Sequence, residues 1–318
     1  MALRLKNKSF IRDKLISWIK IIRIQFYPMT FIAYSLGSAA ALFLPGGAFN
    51  PVAYFWGYTL LFFIELLTIL LNEYFDFATD KLNKNFSLFT GGTRMLVEGK
   101  ITKGEIQAAS GIVSLLVLIN SYLLLKSTPA FSHWLVLTMI SVSLVLGVGY
   151  TAPPLKFCYR GLGELTVSAT HSPVVIMCGF IFQEGRWNYP LPWLLSIPLF
   201  FAVMGAITLA GIPDYSADVR VAKRTIPVLL GPRKAAMLSI VFTAMAAAAY
   251  LVLWQYEVIR GLAGTAVLLV LFHALILWLN VYRLIKSNDF DRRINSIMQI
   301  ALSYIIWFGI IPLAYYLL

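Results

Sequence analysis

Residues 52–80 read VAYFWGYTLLFFIELLTILLNEYFDFATD, and the fold is decided where this stretch turns from apolar to acidic. Residues 52–71 are long and apolar enough to cross a bilayer as a helix, and a polar run follows at once. Four residues advance an α-helix by about 400°, so Asn72, Asp76 and Asp80 share one face if the helix continues. The stretch therefore predicts a transmembrane helix with an acidic mouth.

A second acidic pair stands in the same position relative to a later apolar segment. Asp214 and Asp218 follow residues 192–212 and are again four residues apart. Carboxylates at helix mouths repel one another unless a cation lies between them. Hard oxygen ligands suit Mg²⁺, which typically binds together with a substrate phosphate. Two such clusters predict two Mg²⁺ ions around one diphosphate, whereas the alternative is that each helix end frays into a solvated acidic loop.

The composition excludes a soluble domain. The chain has 318 residues, of which 59% are hydrophobic and only 13% are charged, and its mean hydropathy is +0.78. A soluble protein needs more charge to cover its surface, so this composition predicts an integral membrane protein surrounded by lipid.

Nine apolar segments predict an all-α bundle of about nine transmembrane helices in a single domain, residues 1–318. The segments span about 25–44, 52–78, 105–126, 133–150, 164–183, 191–212, 234–255, 261–284 and 295–317. Because the second and sixth segments both end in an acidic motif, residues 1–150 and 151–290 are interpreted as two related four-helix halves, to which a ninth helix is added.

Basic residues alternate between the two sides of this predicted bundle. Of the 26 Lys and Arg residues, 23 lie in the region up to Arg23 or in the links 79–104, 151–163, 213–234 and 283–294. By the positive-inside rule, this pattern predicts a multi-pass protein of the plasma membrane whose motif loops face the cytoplasm. Most of the net charge of +12 then reflects topology, and no nucleic-acid partner is needed to explain it.

Three basic links lie on the same side as the acidic motifs. Gly91 and Gly92 allow the first link, which carries Arg94, to bend closely around a bound group. The link after the sixth segment carries Lys223 and Arg224, and arginine matches phosphate oxygens bidentately. The link after the fourth segment places Tyr150 at a helix end and Lys156 after Pro153 and Pro154, which we expect to hold it extended. The alternative for each basic residue is a purely topological role.

A water-poor pocket with aromatic walls and metal ions at its mouth suits one reaction in particular. An allylic isoprenyl diphosphate ionises when metal ions take the charge of the leaving group, and a nucleophile captures the shielded carbocation. On this interpretation the catalytic residues are Asp76, Asp214, Tyr150 and Lys156.

The two motifs resemble those of a known family. Asn72-Glu73-Tyr74-Phe75-Asp76-x-x-x-Asp80 resembles the first aspartate-rich motif of the UbiA superfamily of intramembrane prenyltransferases, with Glu73 in place of the usual aspartate. Asp214-x-x-x-Asp218 with Lys223-Arg224-Thr225-Ile226-Pro227 is similar to the second motif and its basic tail. The resemblance implies the UbiA-type fold of nine helices. It implies that Asn72, Asp76, Asp80, Asp214 and Asp218 hold the magnesium diphosphate, and that Arg94, Lys156, Lys223 and Arg224 contact the diphosphate.

Within that superfamily, Tyr150-Thr151 and Tyr159-Arg160-Gly161-Leu162-Gly163-Glu164 resemble the menaquinone-pathway branch. The resemblance implies transfer of a polyprenyl group to an aromatic acceptor, 1,4-dihydroxy-2-naphthoate. The chain departs from that branch at Ala169-Thr170-His171-Ser172-Pro173. We expect an acceptor site near Arg23, Glu65 and His171, although a lone intramembrane histidine is at least as often a satisfied packing residue.

Several functions remain open at this stage. The acceptor is alternatively 4-hydroxybenzoate or another quinone or lipid precursor. A UbiA-type terpene cyclase would ionise the same donor and quench it intramolecularly. A more remote alternative is an ion-coupled transporter, in which paired acidic helix ends bind coupling cations.

Overall fold

The structure, a computed structural model, describes residues 2–87, 89–287, 290 and 294–317. Throughout this part of the chain the regular elements are helices and there is no strand. Among the described residues, eight helical spans are long and apolar enough to cross a membrane: Pro51–Phe75, Lys103–Ser127, Ala130–Gly149, Gly163–Glu184, Pro190–Ala210, Pro232–Gln255, Val267–Ser287 and Ile294–Leu317. The prediction of an all-α, multi-pass membrane protein is confirmed.

The number of spans is close to the predicted nine. The segment predicted at 25–44 forms a helix over Tyr27–Leu42, and its 16 residues make it shorter than the eight spans. At 1.5 Å per residue it is about 24 Å long, less than the hydrocarbon thickness of about 30 Å. Most of its residues are buried, so it lies inside the bundle.

In chain order the helices are α1 (Ala2–Ile22), α2 (Tyr27–Leu42), α3 (Pro51–Phe75), α4 (Phe77–Leu82), α5 (Lys103–Ser127), α6 (His133–Gly149), α7 (Gly163–Ala169), α8 (Val175–Glu184), α9 (Pro190–Ala210), α10 (Tyr215–Arg220), α11 (Ile226–Leu230), α12 (Pro232–Gln255), α13 (Gly261–Thr265), α14 (Val267–Ser287) and α15 (Ile294–Leu317). A π-helical turn, Thr170–Val174, joins α7 to α8 within one span.

Helix packing brings the two predicted motif regions to one end of the bundle. The pairs α9 with α12, α3 with α5 and α2 with α8 make the most extensive contacts. Gly179 of α8 lies so close to the backbone of α2 at Tyr34 that any side chain there would collide with it. Small residues permit this close approach of membrane helices. The short helices α4 and α10, which carry the acidic motifs, also contact each other.

The helix is interrupted at the acidic C-terminal end of α3, but the acidic residues keep their helical spacing. Asp76 leaves the helical conformation, with φ −87° and ψ 6°, and separates α3 from α4. Its N–H still donates to the Asn72 carbonyl at 2.9 Å, and the Asp80 N–H donates to the Asp76 carbonyl at 2.9 Å. The i, i+4 relation expected from the sequence therefore survives the break.

The link between α6 and α7 differs from the extended segment that its prolines suggest. The Lys156 N–H donates to the Ala152 carbonyl at 3.0 Å, which closes the segment into a turn. Lys156 itself has a left-handed backbone, with φ 47° and ψ 52°. The two prolines therefore end α6 without extending the chain.

Candidate active site

A polar cavity of about 150 Å³ lies where the first and second acidic segments meet. All five predicted metal ligands line it: Asn72, Asp76, Asp80, Asp214 and Asp218. Gly91 and Gly92 also line the cavity, and Gly92 adopts φ +71° beside the Asp80 carboxylate, where a Cβ would collide with the carboxylate oxygens. The structure therefore brings together two motifs that are far apart in sequence.

One amide side chain bridges the two acidic segments. The Asn83 side-chain N–H donates to Asp214 Oδ1 at 2.7 Å, although the two residues are 131 positions apart. Asn83 is buried, so water does not compete with this contact. Asn83 is not among the residues predicted from the sequence, since its only local signal is that it follows Asp80 by three residues.

A lysine also lies between the two segments. Lys223 Nζ is 2.9 Å from Asp76 Oδ2 and 3.8 Å from Asp218 Oδ1. The hydroxyl of Tyr159 donates to the other Asp76 oxygen, Oδ1, at 2.9 Å. Asp76 therefore has a partner for each of its carboxylate oxygens. Tyr159 was noticed in the sequence only as part of a resemblance, and its contact with Asp76 depends on the tertiary fold.

Burial makes the negative charge of this cavity unfavourable. It raises the pKa of the Asp80 carboxyl to about 8, with a further contribution from the charges of Glu73 and Asp76. Burial likewise raises the pKa of Asp218 to about 7 and that of Asp214 to about 6. For Lys223 burial favours the neutral amine, but the Asp76 and Asp218 charges outweigh it and raise its pKa well above the ordinary value. Additional positive charge in the cavity would therefore be stabilising.

The donor set fits a magnesium ion that completes its coordination with phosphate oxygens. Within the described residues, no three His, Cys, Asp or Glu side chains converge into a ready-made metal site. Mg²⁺ commonly uses only one or two carboxylates, together with substrate phosphates and water. The side-chain oxygen of Asn72 is buried, and no hydrogen-bond partner for it is found in the described part of the chain. Such an oxygen is available as a further ligand.

Three of the basic residues predicted to contact the diphosphate lie away from the cavity lining. The Arg94 guanidinium donates to the Asp80 carbonyl at 2.6 Å and to the Asn83 carbonyl at 3.0 Å, and it lies over the Phe86 ring. The Lys156 ammonium lies 5.2 Å from the centre of the Tyr159 ring, and Arg224 is exposed. Lys223 lines the cavity instead.

An apolar cavity of about 260 Å³ adjoins the polar one. The two cavities share the residues Arg23, Asn72, Phe89, Tyr150, Ile207 and Ala210. Arg23 has a left-handed backbone with φ 54°, and its guanidinium lies 5.0 Å from the centre of the Phe26 ring. The predicted acceptor residue Arg23 and the predicted catalytic residue Tyr150 therefore stand at the junction of the polar and apolar spaces.

Glu65 and His171, the other predicted acceptor residues, are polar side chains in the otherwise largely apolar lining of this cavity. Glu65 Oε2 accepts a hydrogen bond from the Thr30 hydroxyl at 2.7 Å. His171 belongs to the π-helical turn, and its Nδ1 is 3.1 Å from the Val167 carbonyl oxygen. Both residues also line a third, smaller cavity of about 80 Å³. Such π-turns are frequent at functional sites because they reorient one side chain of a helix.

Two further glutamates fix the loops around the polar cavity. Glu73 Oε1 accepts the Thr93 N–H at 2.7 Å, and Glu164 Oε1 accepts the Ile226 N–H at 2.6 Å. Thr93 follows the glycine pair of the first loop, and Ile226 lies in the basic tail of the second motif. Neither contact was anticipated from the sequence, because a carboxylate that binds a loop N–H leaves no local pattern.

The helices long enough to cross a membrane, with an acidic cavity beside an apolar one at the junction of the two motifs, define a multi-pass membrane protein. The chain belongs to the UbiA prenyltransferase family, and the sequence model of that family matches residues 32–303.

Relatives within the family differ in what their names say they act on. The chain is 31% identical to 1,4-dihydroxy-2-naphthoate octaprenyltransferase of Bacillus subtilis over 55% of its length, and it spans 54% of that protein. It is 24% identical to 2-carboxy-1,4-naphthoquinone phytyltransferase of Synechocystis over 60% of its length, and it spans 58% of that protein. It is also 25% identical to lycopene elongase/hydratase of Corynebacterium glutamicum, where 82% of this chain covers 85% of the relative.

Solved structures share the fold. The apo structure of a UbiA homolog from Aeropyrum pernix K1 superposes with a TM-score of 0.62 at 18% identity, covering 92% of this chain and 96% of the other. A UbiA homolog from Archaeoglobus fulgidus, bound to GPP and Mg²⁺, gives a TM-score of 0.58 at 15% identity, covering 93% and 99%. The prediction of a UbiA-type fold is confirmed.

Proposed function

We propose that this protein is a Mg²⁺-dependent prenyltransferase that moves a polyprenyl group from an isoprenyl diphosphate to an aromatic acceptor inside the membrane. One observation carries the proposal: the acidic cavity adjoins the apolar cavity, and Arg23, Asn72 and Tyr150 line both of them. An isoprenyl diphosphate has this same division into a charged head and an apolar chain. The reacting carbon of the donor joins its two parts and would lie at that junction.

The metal would be held by Asn72, Asp76, Asp80, Asp214 and Asp218, which all line the polar cavity. When bound, Mg²⁺ supplies positive charge that offsets the charge developing on the departing diphosphate. The Archaeoglobus fulgidus neighbour bound to GPP and Mg²⁺ supports the expectation of Mg²⁺. We retain two ions as the proposed number, because there are two acidic segments.

The chain's own residues then orient and shield the donor. Lys223 and Arg23 bring positive charge to the polar cavity, and the apolar wall excludes water from the reacting carbon. The Tyr150 ring lies at the junction, where its face can stabilise the developing carbocation. We retain Lys156, Arg94 and Arg224 as proposed diphosphate contacts, although these side chains lie outside the cavity lining and would have to approach the bound donor.

The acceptor would bind on the apolar side near Arg23, Glu65 and His171. Glu65 and His171 supply hydrogen-bonding groups in an otherwise apolar wall, as an aromatic acceptor with hydroxyl groups requires. The Bacillus subtilis and Synechocystis relatives support a naphthalene-derived acceptor, with 1,4-dihydroxy-2-naphthoate as the first choice and a place in menaquinone biosynthesis. We further propose the plasma membrane as the location, with the motif loops facing the cytoplasm.

The test is a product assay with purified protein, Mg²⁺ and isoprenyl diphosphates of several lengths. Each donor is offered with 1,4-dihydroxy-2-naphthoate, with 4-hydroxybenzoate, with lycopene and with no acceptor, and products are identified by mass spectrometry. We expect a prenylated dihydroxynaphthoate product that disappears when Mg²⁺ is chelated. Prenylated 4-hydroxybenzoate or lycopene alone would reassign the acceptor. A cyclised hydrocarbon formed without any acceptor would identify a terpene cyclase and overturn the transferase proposal.

A further inference from the structure

We infer that Lys223 makes divalent-cation binding depend on diphosphate: its ammonium lies beside Asp76 and Asp218 and opposes a cation at these carboxylates, and the diphosphate offers the ammonium another partner. This inference rests on the proposed function, which assigns both carboxylates to the metal. It goes beyond a diphosphate contact, because it couples the lysine to the carboxylates that would hold the cation.

The geometry shows a competition for the same oxygens. Lys223 Nζ is 2.9 Å from Asp76 Oδ2 and 3.8 Å from Asp218 Oδ1, so the ammonium lies between one carboxylate of each motif. The Tyr159 hydroxyl holds the remaining Asp76 oxygen at 2.9 Å. A cation that bonds to Asp76 would therefore share an oxygen with the tyrosine hydroxyl or stand directly beside the ammonium. Like charges repel, so an ammonium that stayed beside the cation would weaken its binding.

The lysine is buried and its backbone is fixed. Only 9% of the residue is exposed, and its N–H donates to the Asp218 carbonyl at 3.1 Å. A movement away from the carboxylates would therefore involve the side chain alone. A lysine ammonium on a flexible four-carbon stem is suited to such a movement, whereas a planar guanidinium is more restricted.

Diphosphate resolves the conflict because it carries several negative charges and oxygen acceptors. A buried ammonium that lost its carboxylates without a new partner would be strongly destabilised. Phosphate oxygens arriving in the cavity replace those lost contacts, and the freed carboxylates then turn to the cation. Cation and diphosphate should therefore each increase the affinity of the other, as linkage requires.

Lys223 is unusual among the basic residues of the motif loops. In the described ranges, the ion pairs made to the cluster aspartates come from this lysine alone. Arg94 is engaged by backbone carbonyls, and Arg220, three residues before Lys223, is exposed. Arg220 therefore offers a matched control that removes one positive charge from the same segment without disturbing the carboxylates.

The test measures Mn²⁺ binding, by electron paramagnetic resonance, to the purified full chain with and without inorganic diphosphate. Free Mn²⁺ is matched between the two conditions, because diphosphate itself chelates the metal. The proteins compared are the wild type, Lys223→Met, Lys223→Gln and Arg220→Met. The glutamine variant keeps hydrogen-bonding capacity without the charge, and it serves if the methionine variant cannot be purified.

Without diphosphate, we expect both Lys223 variants to bind Mn²⁺ at least about tenfold more tightly than the wild type, equivalent to about 1.4 kcal/mol. Arg220→Met should bind like the wild type. Diphosphate should tighten Mn²⁺ binding at least about tenfold in the wild type and much less in the Lys223 variants.

Two outcomes would overturn the role of Lys223. One is a variant that binds Mn²⁺ no more tightly than the wild type when diphosphate is absent. The other, measured on the wild type alone, is Mn²⁺ affinity that does not change with diphosphate. By contrast, a wild-type protein that binds no Mn²⁺ under either condition would count against the proposed function itself.

Discussion

The two acidic segments of this molecule are alike in sequence and differ in how they use their basic loops. In each segment the second aspartate donates its N–H to the carbonyl of the first at 2.9 Å, so both keep the i, i+4 geometry. Each neighbouring loop also donates an N–H to a glutamate: Thr93 to Glu73 of the same segment, and Ile226 to Glu164 at the start of the span Gly163–Glu184. The two segments therefore present their carboxylates to the cavity in nearly the same local way.

The difference lies in where the basic side chain goes. Arg94 of the first loop donates to the carbonyls of Asp80 and Asn83 and holds the loop together. Lys223 of the second loop enters the cavity and pairs with Asp76, an aspartate of the other segment. Similar basic residues beside similar motifs therefore have different roles: Arg94 stabilises its loop, and Lys223 neutralises carboxylate charge in the cavity.

The largest effect should come from removing one carboxylate on either side of the cavity. We expect Asp76→Ala and Asp214→Ala each to lower kcat/KM at least about 100-fold, or about 2.7 kcal/mol of transition-state stabilisation. The reason is that both segments would contribute metal ligands. The measurement is steady-state prenyl transfer, with thermal unfolding to confirm that the variants fold. Asp13→Asn, at an exposed position in α1, is the control and should remain fully active. If either variant keeps more than about a tenth of wild-type activity, its segment holds no catalytic metal.

The next effect concerns stability and separates the two basic loops. We expect Arg94→Ala to lower the free energy of unfolding by about 1–3 kcal/mol, because two backbone carbonyls lose a charged donor. Arg224→Ala should change stability by less than about 0.5 kcal/mol, since Arg224 is exposed. Thermal unfolding in detergent, together with the KM for the donor, measures both. Unchanged stability with a raised donor KM in Arg94→Ala would instead favour the direct diphosphate contact predicted from the sequence.

A matched pair of glutamate variants tests whether the two loops are anchored equally. Glu73→Ala and Glu164→Ala each leave a loop N–H without its acceptor, which should cost about 1–3 kcal/mol of stability. Glu73→Gln and Glu164→Gln keep an accepting oxygen and should lose less. Urea unfolding of the four variants gives the comparison. A large loss in only one alanine variant would show that one loop is held by other contacts.

The smallest expected effect comes from single cysteine substitutions, which test on which side of the membrane the two motif loops lie. Lys84→Cys and Ala222→Cys introduce a thiol at exposed positions in the first and second loops, whereas Cys158 and Cys178 are buried and should react little. With an impermeant thiol reagent, we expect both new cysteines to be labelled in inside-out vesicles and neither in intact cells. The unsubstituted protein gives the background. Labelling of one position from each side would break the equivalence of the two loops.

Much of the fold follows directly from the sequence. Lipid cannot hydrogen-bond the backbone, so long apolar segments form helices. The length of each segment can be read from the hydropathy along the sequence. The segment predicted at 25–44 is an exception, because its helix, Tyr27–Leu42, is shorter than predicted. A helix enclosed by other helices can be shorter than the bilayer, and hydropathy does not reveal such enclosure.

The helical membrane fold, the two acidic pairs and the family could be predicted from the sequence, because these depend on local spacing and on the length of the apolar segments. Which basic side chain enters the cavity depends instead on helix packing. The Asn83 contact with Asp214 joins residues 131 positions apart, and Lys223 pairs with an aspartate of the other motif. Contacts of this kind depend on how α4 and α10 meet at the end of the bundle. Charge is written in the sequence, but the direction in which a charged side chain points is set by the packing around it.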